Sequence, residues 1–171
     1  MSDFKCKNST ERISKGARFS VDRKYRYALW RHWNGNKERN YVAFVGLNPS
    51  TADEETDDPT IRRCMGFARS WGFNGIWMIN AFAFRATKPK DMKAAIDPIG
   101  PDNDYAIRFY SGRANQVVAA WGAHCDENRE KQVCDSIGVP VYCLGTTKAG
   151  RPKHPLYLKA DTEREIFWSP K

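Results

Sequence analysis

No apolar run in this 171-residue chain approaches the ~18 residues that a membrane-spanning helix needs. A helical membrane protein is therefore excluded. The opening residues, Met1-Ser2-Asp3-Phe4-Lys5, put no apolar core behind a basic start. No signal peptide is expected, and the expected location is the cytoplasm. The five cysteines (Cys6, Cys64, Cys125, Cys134, Cys143) are odd in number and contain no C-x-x-C pair. The last three are spaced by nine, which suggests a metal or iron–sulfur site, but the tight paired spacing of such sites is missing. Cys64 and Cys134 fall within helical patterns and Cys143 within a strand pattern, where free cysteine serves as a small apolar residue. No metal and no cofactor are expected. A G-x-S-x-G nucleophile elbow, a Walker loop, internal repeats and low-complexity tracts are all missing too.

What the chain has is apolar material for one core, with 41% hydrophobic and 13% aromatic residues, and a net charge of +8. Its length fits a single domain spanning 1–171. The charge is unevenly placed. Residues 1–40 hold eleven Lys/Arg against four Asp/Glu, whereas 41–171 hold seventeen against sixteen. The basic segment is interleaved with Phe19, Tyr25, Tyr27, Trp30 and Trp33. Basic and aromatic groups together neutralise phosphates and stack on bases, so DNA is the expected partner. The rival reading is a solvated hairpin whose aromatics simply pack on the domain.

Hydrophobic periodicity orders the rest. Residues 18–33 read as two short strands around an Asp22-Arg23-Lys24 turn, with Tyr25, Tyr27 and Leu29 alternating with Arg26 and Ala28. Asn34-Gly35-Asn36 makes a turn. The apolar run 41–47 is a strand buried on both faces. Asp58-Pro59 announces a helix to about Trp71, an acidic cap followed by proline at the first helical position. Residues 75–83 form a second buried strand, and Asp102 or Asn103 caps a helix to about Gly112. A third strand (116–121), a helix (126–137) and a fourth strand (139–144) follow. Strands alternating with helices predict an α/β fold: a three-layer α/β/α core over 41–158 with a central, mainly parallel four-stranded sheet, preceded by an N-terminal β-hairpin in 1–40.

In open parallel sheets ligands bind at the carboxyl ends of the strands. Here those ends are the most polar parts of the sequence. Strand one ends in Gly46-Leu47-Asn48-Pro49-Ser50-Thr51, and strand two carries Asn80. Strand three ends in Trp121-Gly122-Ala123-His124. The loop after strand four holds Gly150-Arg151-Pro152-Lys153-His154-Pro155.

Gly46-Leu47-Asn48-Pro49 is similar to the first motif of the uracil-DNA glycosylase superfamily, in particular the Gly-Ile-Asn-Pro version of its mismatch-specific branch. Trp121-Gly122-Ala123-His124 resembles the Trp-Gly-x-His closing the third strand in many of those enzymes. His154-Pro155 resembles the His-Pro of their second motif, and Asn80 stands where they keep a base-reading asparagine. The whole chain resembles, more narrowly, the phage and bacterial domain-of-unknown-function family 1643. Its recurring stretches are matched by Leu47-Asn48-Pro49-Ser50-Thr51-Ala52-Asp53, Asp57-Asp58-Pro59-Thr60-Ile61-Arg62-Arg63-Cys64, Trp121-Gly122-Ala123-His124 and His154-Pro155-Leu156-Tyr157-Leu158.

The resemblance implies a uracil-DNA glycosylase-like fold and hydrolysis of an N-glycosidic bond in DNA by a monomer, with a modified, damaged or mismatched pyrimidine as the base removed. Asn48 and His154 are the implied catalytic pair, the first holding water and the second donating to the leaving base. Asn80 reads the base edge. Gly46, Pro49, Ser50 and His124 complete the substrate site, and Phe82 and Phe84 are the candidates for stacking on the base. Arg151 and Lys153 hold flanking phosphates, while Leu156 and Tyr157 wedge into the stack. The pattern departs from the family at two points: the second motif continues Leu156-Tyr157-Leu158 where a serine is usual, and the first lacks an acidic residue. Asp57 or Asp58 is a substitute for that acid, against the plainer reading of Asp58 as a helix cap. The five carboxylates between Asp53 and Asp58 repel phosphate, with Arg62 and Arg63 placed to neutralise some of them. Two other readings compete: a non-catalytic nucleic-acid-binding module on the same fold, and a hydrolase of free nucleotides.

Overall fold

The structure, a computed structural model, describes residues 13–33 and 39–171. The Asn34-Gly35-Asn36 turn and Cys6 lie outside the described residues.

Seven strands form one sheet in the order β1-β2-β4-β3-β5-β6-β7. They are β1 Ser14–Phe19, β2 Arg26–His32, β3 Tyr41–Gly46, β4 Gly75–Asn80, β5 Gln116–Ala119, β6 Val141–Cys143 and β7 Glu165–Trp168. The pairs β4·β3, β3·β5 and β5·β6 are parallel, and the pairs β1·β2, β2·β4 and β6·β7 are antiparallel. The protein is α/β, as expected, but the expected central, mainly parallel four-stranded sheet is wrong: the sheet is mixed and seven-stranded. The N-terminal hairpin does not precede the sheet; it is part of it. β2 hydrogen-bonds along β4, from Leu29 opposite Met78 to His32 opposite Gly75. That placement buries Tyr27, Ala28 and Leu29 almost completely. The alternation of tyrosines with Arg26 suggested a half-exposed hairpin, because an arginine is read as a solvent residue. Here Arg26 and Arg31 are buried as well. At the other edge, β7 is a short strand that the sequence pattern did not indicate.

Helices cover both faces. α1 Pro59–Ser70 lays Ile61, Cys64, Phe67 and Ala68 on Val42, Phe44, Ile76 and Met78. α3 Asn103–Ser111 and α4 Glu127–Ile137 lay Ile107, Tyr110, Val133 and Ile137 on Val45, Ile79, Val117 and Val141. The alternation within β3, Val42 and Phe44 to one side and Ala43 and Val45 to the other, follows from the two-residue repeat of a strand. α2 Pro89–Lys93 is a single short turn that docks Met92 in the core.

The helix ends follow their signals. Asp58 caps α1 by accepting from the Ile61 N–H at 2.8 Å, with Pro59 behind it. Asp126 does the same for α4 with Arg129 N–H at 2.9 Å, and Gly138 closes that helix at φ 67°. No helix among the described residues is long and apolar enough to cross a membrane. The buried thiols Cys64, Cys125, Cys134 and Cys143 are free. Among the described residues no His/Cys/Asp/Glu cluster is placed to hold a metal.

The chain leaves β3 for β4 on one side, then crosses back to β5 on the other. Strand order thus reverses between β3 and β5, the point at which a crevice forms at the carboxyl ends of such sheets.

Candidate active site

A cleft of about 620 Å³ opens at that reversal point. The carboxyl ends of β3, β4 and β5 supply Gly46, Asn48, Asn80 and Trp121. The first turn of α1 supplies Asp58 and Thr60, and the loop after β6 supplies Lys153 and His154. The volume lies in the range of small-molecule sites.

Asn48 is half-buried, and its amide nitrogen donates to the carbonyls of Ala86 at 2.8 Å and Pro49 at 3.0 Å. Two carbonyls can only face an NH2 group, so the orientation of the amide is fixed. Its Oδ1 receives no donor from the described residues and is available to a ligand or water.

Asn80, the last residue of β4, is 1% exposed, and neither Nδ2 nor Oδ1 has a partner among the described residues. Buried amides are nearly always satisfied, so an orphan lining a cleft marks a place where something binds. Gly46 makes room for it: a Cβ there would lie 2.8 Å from Asn80 Oδ1 and 2.7 Å from Met78 Cε. A larger residue at position 46 would have to displace the ends of the Asn80 and Met78 side chains.

His154 accepts the Leu156 N–H at Nδ1, at 3.3 Å. Burial holds its pKa below the ordinary histidine value, against the opposing pull of Asp58. The imidazole is therefore neutral near pH 7, with its proton on Nε2, which is left as a donor. Gly122, at φ 69°, turns the chain after β5 so that its backbone lies against the His154 side chain.

A family model described as "Protein of unknown function (DUF1643)" matches residues 26–156. The chain belongs to this family. No curated protein and no solved structure matches it. The DUF1643 match begins at the first residue of β2 and ends in the His154 loop, so it takes in both antiparallel β2 and the cleft. Of the cleft residues named from sequence, Tyr157 falls just outside it.

Within the DUF1643 fold, Gly46, Asn48, Ser50, Asn80, His124, Lys153, His154 and Tyr157 line the one cleft. The other sequence candidates are elsewhere. Pro49 is buried beside the cleft and contributes its carbonyl to Asn48. Phe82 is buried in the core, with the Arg129 guanidinium 5.9 Å from its ring, and Phe84 packs edge-on against Tyr25 at 5.8 Å. Neither lines the cleft, so neither is placed to stack on a base there. Arg151 is held by Glu127 at 2.9 Å and Glu130 at 3.1 Å, which occupies the fork expected to hold phosphate. Leu156 is half-buried outside the lining, while Tyr157 stands 87% exposed at the rim.

The basic hairpin and the acidic loop explain each other. Lys15 pairs with Glu55 at 2.6 Å, Arg23 with Glu54 at 2.7 Å and Arg31 with Asp57 at 2.7 Å. Three of the five 53–58 carboxylates are counter-ions to the hairpin, while Asp53 accepts the Glu55 and Thr56 N–H groups and Asp58 caps α1. Arg62 and Arg63 reach backbone carbonyls, of Asp57 and Leu158, and not the carboxylates. Tyr27 and Trp33 are buried in the core, and Trp30 packs on Trp77 with ring centroids 5.7 Å apart. The aromatics of this segment hold the hairpin to the domain.

Sequence reasoning missed Arg26, which is 2% exposed and lines the cleft. Its only signal was a charged residue inside an otherwise apolar and aromatic strand pattern. Asp58, for which the sequence offers both a cap and a substitute acid, is the cap of α1 and also lines the cleft.

Proposed function

We propose that the cleft hydrolyses the N-glycosidic bond of a modified, damaged or mismatched pyrimidine nucleotide. The observation that carries this reading is the convergence on one cleft of Asn48, with an unoccupied carbonyl oxygen, and His154, held as a neutral donor. The resemblance of 46–49, 121–124 and 154–155 to uracil-DNA glycosylase motifs supports it, as does Asn80 in the same cleft.

In this reading Asn48 Oδ1 accepts a hydrogen bond from water and aims it at C1′. The bond from C1′ to the base nitrogen breaks, its electron pair leaves with the base, and the water oxygen bonds to C1′. Negative charge gathers on the departing base, where His154 Nε2–H donates to it. Asn48 is not a base. Asp58 is the only carboxylate lining the cleft among the described residues, has one oxygen engaged by the Ile61 N–H, and takes the water proton. Asn80 presents a donor and an acceptor to the edge of the base.

The carrier of the base is either a DNA strand or a free nucleotide. The motif resemblance favours DNA. The pairing of Lys15, Arg23 and Arg31 with Glu55, Glu54 and Asp57 neutralises three cations of the basic segment, and so weighs toward the free nucleotide.

The test measures abasic-site formation on oligonucleotides carrying uracil and modified pyrimidines, and base release from the corresponding mononucleotides. Wild type is compared with Asn48→Ala and His154→Ala. Each substitution should slow release about a hundredfold or more. Absence of release from every substrate, or release indifferent to both substitutions, refutes the proposal.

A further inference from the structure

Three arginines are almost completely buried in the described residues: Arg26, Arg31 and Arg129. Two of them have carboxylate partners. Arg31 Nε donates to Asp57 at 2.7 Å, with further donations to the carbonyls of Trp30 and Asp53 at 2.8 Å. Arg129 reaches Asp104 at 2.7 Å and the Ala81 carbonyl at 2.8 Å. Arg26 is different. Its Nη1 donates to the Ala52 carbonyl at 2.7 Å, its Nε has no partner, and no carboxylate among the described residues forms an ion pair with it.

A guanidinium has five N–H donors in a rigid fork, and burying it without a counter-ion is costly. Burial lowers its pKa to about 10, so it still carries its charge at neutral pH. Arg26 lies at the start of β2, with its backbone N–H on the Ala83 carbonyl. That places it at the carboxyl end of β4, beside the strand terminus that carries Asn80. Both residues line the cleft, and both have polar atoms without partners. Among the described residues the cleft lining holds two cations, Arg26 and Lys153, against one carboxylate, Asp58.

We infer that Arg26 and Asn80 form an anion-receiving subsite at the inner wall of the cleft, which holds a terminal oxyanion carried by the substrate. The inference rests on the cleft being the substrate site proposed above, and adds to it what the substrate must carry. Arg26 is 2% exposed, so a phosphodiester that continues into chain on both sides cannot reach it. The oxyanion ends the molecule, as a phosphate monoester on the sugar or as a carboxylate on the ring. Either ligand fits within about 620 Å³. The guanidinium fork supplies paired donors to the oxyanion, and the Asn80 Nδ2 group adds another.

Isothermal titration of the wild-type protein with deoxyuridine 5′-monophosphate, 5-carboxydeoxyuridine and deoxyuridine tests this. One of the two anionic probes should bind about ten- to a hundredfold more tightly than deoxyuridine, and which one it is identifies the position of the oxyanion. Arg26→Gln should abolish that preference, and Arg26→Lys should keep part of it. Asn80→Asp leaves Arg26 in place but sets a carboxylate beside it, and should abolish the preference as well, so the result does not depend on Arg26→Gln folding. Equal binding of all three probes to wild type, or no binding of any, overturns the inference. So does a preference that survives both Arg26→Gln and Asn80→Asp. Base release is measured separately: hydrolysis without anion preference removes the subsite alone, and anion preference without hydrolysis removes the proposed reaction alone.

Discussion

Replacing Asn80 by leucine should make the protein more stable while removing from the cleft the amide to which the proposed function gives base recognition. Both amide atoms are buried without partners, and the residue is 1% exposed. An unsatisfied buried polar group costs about 1–3 kcal/mol, and leucine removes two of them. Leucine is bulkier, and forcing volume into a packed site costs about 1–3 kcal/mol. Here the neighbours are Gly46, which has no side chain, and the open cleft, so much of that cost is avoided. The net expectation is a gain of about 1–2 kcal/mol, the difference between those two opposing effects. For a chain of this length that raises the melting temperature by about 2–8 °C. Thermal unfolding and a urea titration of Asn80→Leu beside wild type measure it. A loss of about 1 kcal/mol or more refutes the reasoning, because it means the amide is satisfied in the folded protein. The expected pairing of higher stability with lost base release is the usual sign of a polar group kept for function.

Two further predictions concern stability. His32 is buried against Tyr41, with ring centroids 4.0 Å apart, and against Trp77 at 4.6 Å, and its Nε2 has no partner among the described residues. Burial, with a smaller contribution from Arg39, lowers its pKa from 6.5 to about 4. A depressed histidine contributes stability that is complete above pH 6.5 and is lost as pH falls toward 4, about 3 kcal/mol in all. Urea midpoints across that range should fall for wild type, and His32→Phe should remove most of the slope; an unchanged slope counts against the assignment. Asp57→Ala should destabilise by about 3 kcal/mol, because it strands the buried Arg31 charge. The double change Asp57→Ala/Arg31→Met should recover much of that loss, and a single-variant cost under about 1 kcal/mol would place the pair among ordinary surface bridges.

How far the sequence was legible depended on how local each signal is. The Asp58-Pro59 cap is read from adjacent residues and stands as expected. The apolar runs of β3, β4 and β5 declared themselves, and with them the rim where Asn48, Asn80 and His154 meet. What failed was long-range. Nothing near Arg23 announces Glu54, 31 residues away, so the basic hairpin and the acidic loop were read as separate surfaces. The choice of β4 as the partner of β2 is likewise not written in β2, whose arginines argued for solvent. Phe82 and Phe84 sit just beyond Asn80 in sequence, but the chain past the strand end turns one into the core and the other onto Tyr25.

Gly46 and Asn80 lie opposite each other in the register of β3 and β4, so close that a methyl group at position 46 would push the Asn80 amide aside. The two positions are therefore expected to vary together. A relative with alanine at the first should have lost or shrunk the amide at the second, and a change at either one alone should be rare. Comparing those two columns across DUF1643 sequences would separate members that keep the buried amide at this cleft from members that have lost it.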